Sequence, residues 1–231
     1  MIVKLAIMQP YFFPYIGYWQ LISAVDTFVI YDDVNYIKQG YVNRNSLLIN
    51  KVKAFYTLEL NGASSFKLIK EIQVGRNIPK LIKMLEQNYK KAPYFMDVFP
   101  VVSDIINFPE NNLGKYLGNS IFKISSLLDL KPKFIYSSDI EKNNTLKGKD
   151  KVLAICKTLK ATKYLNAIGG QELYCKDEFM TNGIELNFIK TLDICYPQSS
   201  QSFVPNLSII DVLMHCGKEK TKYILTKYQL V

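Results

Sequence analysis

The stretch IVKLAIMQPYFFPYIGYWQLISAVDTFVIYDDV, Ile2 to Val34, decides the fold. It opens on a short apolar run with β-branched members, IVKLAIM, and closes on a second, FVIYDDV from Phe28, which ends near two carboxylates. Between them Tyr15 to Val25 is long enough for a few turns of helix. Strand, loop, helix and strand at this spacing form a parallel βαβ unit. In such a unit the loop MQPYFFP, Met8 to Pro14, lies at the carboxyl end of the sheet, where α/β proteins bind ligands.

Downstream the alternation changes. NRNSLLI, KAFYTLEL and FKLIKEIQV read as short strands joined by turns containing Gly and Asn, an antiparallel insertion. From Ile78 to Leu130 the period becomes helical: IPKLIKMLEQNYKK carries Pro79 near a first-turn position, and LGKYLGNSIFKISSLLDL repeats apolar residues at three and four. After Pro132, strands KFIYSS, KYLNAI and IELNFIK alternate with helices DKVLAICKTL and KDEFMTN, and the tail from Ser208 to Leu225 is helical with a break at Gly217. The expectation is an α/β chain, a Rossmann-like and mostly parallel sheet. It is read as a single domain over residues 1–231, with residues 44–130 inserted as a β-hairpin plus helical subdomain.

Bulk properties narrow the function. The 231 residues are 48% hydrophobic and 21% charged, an ordinary globular composition that excludes disorder. The start lacks a signal peptide's basic and long apolar regions, and no apolar run reaches the roughly 18 to 20 residues of a membrane span, so a cytoplasmic protein is expected. The formal charge is +9, but it is carried almost wholly by dispersed lysine; Arg44 and Arg76 are the only arginines. That pattern disfavours nucleic acid and suits a phosphorylated small molecule. Cys156, Cys175, Cys195 and Cys216 form no C-x-x-C pair and have no histidine cluster beside them, which argues against zinc and reads as reduced, mostly buried thiols. No dinucleotide or P-loop glycine pattern occurs, so flavin, NAD and nucleoside triphosphate signatures are lacking and the cofactor is left unknown.

Candidate site residues gather around the first loop. MQPYFFPYIGYWQ holds six aromatic residues and two prolines in thirteen positions. Fixed backbone and flat rings, Tyr11 and Tyr18 among them, suit a pocket that stacks a base or a sugar; an aromatic plug of the core is the other reading. Gln9 offers an amide donor and acceptor just beyond the strand. Asp32 and Asp33, the candidate catalytic carboxylates, point to opposite faces and so do not form an acid–base pair. Either one binds a hydroxyl, a metal or an amine while the other caps a turn, or both are solvated. Asn43 and Arg44 follow, Arg44 being a natural fork for phosphate or carboxylate. Gly169-Gly170 and Gln171 sit directly after a strand, where bare backbone N–H groups approach an anion or simply make a tight turn. Asn206 or Ser208 caps the last helix, Asp211 is a structural carboxylate in its first turn, and His215, the only histidine, is more naturally packed than catalytic.

Taken together, MQPYFFPYIGYWQLI, YDDVNYIKQGYVNRN, NAIGGQELY and FVPNLSIIDVLMHCG resemble the WbqC-like family of bacterial proteins, over most of the chain and in order. That family is associated with surface-polysaccharide gene clusters, notably O-antigen formation. The resemblance implies a transferase whose substrate is a nucleotide-linked or lipid-linked sugar, with acyl or aminoacyl transfer to an amino sugar as the step. It implies that the aromatic loop holds base or sugar, that Arg44 or Gly169-Gly170 meets phosphate, and that Asp32 or Asp33 accepts a proton from the attacking amine or hydroxyl. No covalent nucleophile stands out, which favours direct transfer. A glycosyltransferase with a metal on Asp32-Asp33 and a non-catalytic scaffold of a polysaccharide assembly complex are the rival readings. More narrowly, Tyr15-Ile16-Gly17-Tyr18 resembles, by position, the His-x-Gly-His of nucleotidylyltransferases with both histidines replaced, which implies nucleotide binding without that motif's phosphate chemistry.

Overall fold

The computed structural model describes residues 2–231. The first strand, β1 (Lys4–Met8), is followed by α1 (Ile16–Ser23) and β2 (Thr27–Ile30), which pairs parallel to β1 with Met8 opposite Ile30. The antiparallel hairpin β3 (Arg44–Ile49) and β4 (Val52–Thr57) comes next, then a two-residue pair, β5 (Leu60–Asn61) with β6 (Gln73–Val74). Three helices follow, α2 (Ile78–Tyr89), α3 (Phe95–Ile106) and α4 (Leu113–Leu127). The sheet then resumes with β7 (Lys133–Tyr136), α5 (Gly148–Thr158), β8 (Lys163–Ala167), α6 (Lys176–Thr181), β9 (Glu185–Thr191), α7 (Ile209–Leu225) and β10 (Tyr228–Leu230).

The main sheet has six strands in the order β10-β9-β8-β1-β2-β7, parallel except for β10. This is the expected Rossmann-like, mostly parallel α/β architecture. Period-two alternation sorts its side chains into two cores. Ala6, Phe28 and Ile30 face α1 to α4 and α7, whereas Leu5, Ile7 and Val29 face α5 and α6. The chain moves from β1 outward through β2 to β7, then returns to lay β8 on the other side of β1.

Local chemistry explains most boundaries. Pro79 sits in the first turn of α2, the Asn112 side chain accepts the Lys115 N–H at 3.0 Å to cap α4, and α7 kinks at Gly217, whose φ is 67°. FKLIKEIQV, expected as a strand, is instead a 3-10 turn at Ile69–Glu71 leading into the short β6. The Glu71 carboxylate accepts the Leu68 N–H at 2.9 Å, and the buried residues Ile69 and Ile72 are three apart, a turn's spacing and not a strand's. Gly118 of α4 is buried beneath the Tyr136 hydroxyl, which occupies the space a Cβ would need.

An ion cluster closes the sheet where β2 ends. Asp33 Oδ2 lies 2.9 Å from Lys142 Nζ and 3.1 Å from Lys151 Nζ, with the three side chains only 5%, 1% and 7% exposed. Lys151 also donates to the Asp33 carbonyl at 2.6 Å, and Lys142 donates to the carbonyls of Ser137 and Ile140. Burial opposes the charge of Asp33, but the two ammonium groups outweigh it and hold the carboxyl below the usual carboxylate range.

Asp33→Ala would leave two buried cations without their shared anion, so it is expected to cost about 3–5 kcal/mol in urea unfolding. Because the folded-state pKa of Asp33 is lowered, its contribution is complete above the ordinary carboxylate range and is lost as pH falls through the folded value. The gap between wild type and Asp33→Ala should therefore narrow on acidification; a constant gap would refute the assignment. Gly118→Ala is expected to cost about 1–3 kcal/mol by overpacking, and adding Tyr136→Phe should recover part of that loss.

Candidate functional site at the carboxyl edge of the sheet

The parallel strands end side by side at Met8, Ile30, Tyr136 and Ala167. Order reverses between β1 and β8, so the crevice of an open doubly wound sheet falls between the loop after β1 and the turn after β8. Gln9 and Tyr11 lie on the first of these, and Gly169, Gly170 and Gln171 on the second, a 3-10 turn over Ile168–Glu172.

The aromatic loop divides between core and surface. Phe12 and Phe13 are fully buried with their rings edge-on at 5.0 Å, and Tyr18 is buried as well, so these three plug the core. The loop's carbonyls are held from several directions. Tyr18 Oη donates to Gln9 O at 2.9 Å, Asn45 Nδ2 to Phe13 O at 2.9 Å, Ser208 Oγ to Phe13 O at 2.7 Å, and Trp19 Nε1 to Pro14 O at 2.9 Å. These bonds fix Phe13 at φ 43°, a left-handed conformation that a phenylalanine rarely adopts. Gln9, Tyr11 and Tyr15 are left partly exposed.

Asp32 and Asp33 leave the strand toward different surroundings. Asp33 enters the lysine cluster. Asp32 lines a pocket of about 500 Å³, shared with Lys70, Glu110, Lys115, Tyr136 and Asp139. Ser138 holds both of its oxygens, through the backbone N–H at 3.0 Å and the hydroxyl at 2.7 Å. Burial raises the Asp32 pKa against the opposing effect of those two hydrogen bonds. Tyr136 is pushed up to about 12, by burial first and then by Asp32, Asp139 and Glu110. The pocket thus pairs a fixed carboxylate of raised basicity with a neutral phenol.

The remaining expected residues are placed as follows. Asn43 is buried, accepting from Tyr36 Oη at 2.7 Å and donating to Leu58 O at 2.8 Å. Arg44 donates to the carbonyls of Gln39 and Gly40 and lies 4.4 Å above the Phe55 ring. Gly169 has open space around it, whereas Gly170 is buried with the Asn166 amide where a Cβ would be. Asn206 lines a second cavity of about 430 Å³, with Ile16, Thr191, Tyr196 and Val212, at the start of α1 and α7. Ser208 is fully buried and caps α7, its hydroxyl bonded to Tyr56 as well as to Phe13.

Two features have little signal in the sequence. Lys142 and Lys151 were passed over as solvated charge, although Lys151 sits four residues before Ile155 and so shares its buried helix face. Ser138, which holds Asp32, carried no signal. Asp211, expected as a structural carboxylate, is fully buried and accepts from Tyr89 and Tyr196 at 2.8 Å each, while His215, expected as packed, bonds Asp211 O at 3.0 Å and Ser199 Oγ at 3.1 Å. Of the four free cysteines, Cys156 and Cys216 are buried, but Cys175 and Cys195 are exposed. Among the described residues no helix is long and apolar enough to cross a membrane.

Comparison with known proteins fits this arrangement into a family. An uncharacterised protein of Mycobacterium tuberculosis, Rv1507c, is 27% identical over 227 residues, which cover 96% of this chain and 97% of that one. No solved structure matches the chain. Residues 9–223, which run from the amide beside β1 almost to the end of α7, match the WbqC-like protein family, and the chain belongs to it.

Proposed function

We propose that the protein is a transferase acting on a nucleotide-linked amino sugar in the making of a bacterial surface polysaccharide. The observation that carries this reading is the reversal of strand order between β1 and β8, which brings the loop with Gln9 and the open Gly169 turn to the same carboxyl edge of the sheet. Such an edge suits a phosphorylated ligand, whose phosphate meets backbone N–H groups and whose sugar or base is oriented by side-chain amides and rings.

On this reading Asp32 supplies the chemistry from its own pocket past β2, whose lining includes neither Gln9 nor Gly169. Its raised pKa strengthens it as a base while Ser138 fixes its direction. The acceptor amine attacks the carbonyl of an activated acyl donor, the new C–N bond forms as the bond from the acyl carbon to its carrier breaks, the carrier departs with that electron pair, and Asp32 takes the proton lost from nitrogen. The Ser138 bonds use one lone pair on each carboxylate oxygen, leaving others for that proton. Transfer is direct, with donor and acceptor bound together.

The first test is titration of the purified protein with a panel of sugar nucleotides by calorimetry. At least one should bind, and Gln9→Ala should weaken it about threefold to tenfold, the worth of one hydrogen bond. Asp32→Asn should bind that ligand within about threefold of wild type yet lose about 10²–10⁴ in turnover. Absence of binding across the panel would end the proposal, and full turnover in Asp32→Asn would remove Asp32 from the chemistry.

A further inference from the structure

The loop after β9 sets a hydroxyl that the proposed transfer does not use against the chain's one histidine. Ser199 Oγ lies 3.1 Å from His215 Nε2, and His215 Nδ1 lies 3.0 Å from the main-chain oxygen of Asp211, one turn earlier in α7. A carbonyl can only accept, so Nδ1 carries the hydrogen of the neutral ring and Nε2 keeps its lone pair toward the Ser199 hydroxyl. A hydroxyl, a base within hydrogen-bond reach and a third group that orients the base are the parts of an activated serine nucleophile. The pairing is made by the fold, because the two residues stand 16 positions apart in sequence.

Each part is held in place. The His215 side chain is only 7% exposed and its ring meets Tyr89 edge-on at 5.9 Å, while Ser199 stands at the surface. Asp211 Oδ1 lies 3.9 Å from Nδ1, and the two oxygens of that buried carboxylate accept the hydroxyls of Tyr89 and Tyr196. Burial raises the Asp211 pKa, and the two hydroxyls and His215 act against that rise. An ionised carboxylate at this distance balances the charge of an imidazolium. Gln198 fixes the serine's loop through a reciprocal pair with Val204, its Nε2 donating to the carbonyl at 2.9 Å and its Oε1 accepting the N–H at 2.8 Å. Tyr196 and Phe203, on either side of Ser199 in that loop, line the cavity of about 430 Å³ together with Val212 of α7.

We propose that Ser199 and His215 form a hydrolytic site for carboxylic esters whose apolar acyl group lies in that cavity. Ser199 Oγ attacks the acyl carbon; the new C–O bond to serine forms as the bond from the acyl carbon to the alkoxy oxygen breaks. His215 Nε2 takes the hydroxyl proton and passes it to the departing oxygen, which leaves as an alcohol. Water then attacks the acyl-serine, Nε2 takes its proton, and Ser199 Oγ departs from the acyl carbon and recovers that proton, so that ester and water become acid and alcohol. Ser199 is exposed, so water reaches the acyl-serine and hydrolysis is the outcome. The site does not depend on the transferase reading.

The test treats the intact protein with a fluorophosphonate, which an activated serine attacks with loss of fluoride, and separately with the p-nitrophenyl esters of acetate and butyrate. Mass mapping should find the label on Ser199. Ser199→Ala, at an exposed position, should keep the wild-type melting curve, take no label and turn over butyrate about 10²–10⁴-fold more slowly; His215→Gln should slow it to a similar degree. Val212→Phe, which fills the cavity, should slow butyrate more than acetate, a ratio that any general loss of folded protein leaves unchanged. The site is overturned if wild type releases nitrophenolate no faster than Ser199→Ala, or if the label falls on another residue; the Ser199–His215 bond is then a tie for the loop and nothing more. An unchanged ratio in Val212→Phe would overturn the place given to the acyl group.

Discussion

Buried backbone polar groups need partners, and the loop after β1 poses that requirement in concentrated form. Pro10 and Pro14 have no N–H, and the rings of Phe12 and Phe13 draw the backbone between them out of water. The carbonyls of Gln9, Phe12, Phe13 and Pro14 are therefore met by side chains from elsewhere: Tyr18 and Trp19 of α1, Asn45 of β3 and Ser208 at the start of α7. Two parts of the chain remote in sequence, β3 and the start of α7, are docked against one loop by this need, together with the helix that directly follows it. Each bond contributes only about 0.5–1.5 kcal/mol net, but leaving its acceptor dry and unmet costs more. The same set holds Phe13 in its left-handed conformation, a strain of about 1–3 kcal/mol that persists only where the surroundings over-determine it.

A second division begins one strand away. Asp32 and Asp33 are neighbours in sequence just beyond the end of β2, and the chain there turns their side chains into different surroundings. Asp33 meets two buried ammonium groups and is held ionised; Asp32, at a pocket wall, is made harder to ionise by burial, which the two Ser138 donors only partly offset. The structural role of the first supports the chemical role proposed for the second, since the lysine cluster pins β2 to the segment after β7 that also carries Ser138. Moving either lysine would shift both the sheet edge and the hydrogen bonds that aim Asp32.

Much of this architecture is legible in the chain because hydrophobic period and turn residues act locally. Residues 2–8, 15–25 and 28–34 read as strand, helix and strand, and the structure has them at Lys4–Met8, Ile16–Ser23 and Thr27–Ile30. FKLIKEIQV misled because a Glu side chain, not a partner strand, takes its first free N–H. The short β10 went unread since only its antiparallel pairing to β9 makes it a strand. Among the residues proposed for the site, Gln9 and Asp32 were marked by their place near strand ends, whereas the Lys142–Asp33–Lys151 cluster joins residues more than a hundred positions apart and has no local signature beyond Lys151 on a buried helix face.

Of the two readings the sequence left open for the aromatic loop, the core plug is what Phe12, Phe13 and Tyr18 form, and the recognition role proposed for the rest of the loop has a geometric basis in that plug. A loop whose carbonyls are gripped and whose Phe12 and Phe13 rings are locked in the core cannot rearrange, so Gln9, Tyr11 and Tyr15 are displayed at the surface in one arrangement. On the proposed reading, the core plug is what makes the exposed half usable for recognition. Preorganisation of this kind moves the ordering cost from binding to folding, where many other contacts share it. On that argument the interior rings contribute to recognition without touching a ligand, and a truncation of Phe12 or Phe13 would harm binding through the position of Gln9 and Tyr11 as much as through lost stability.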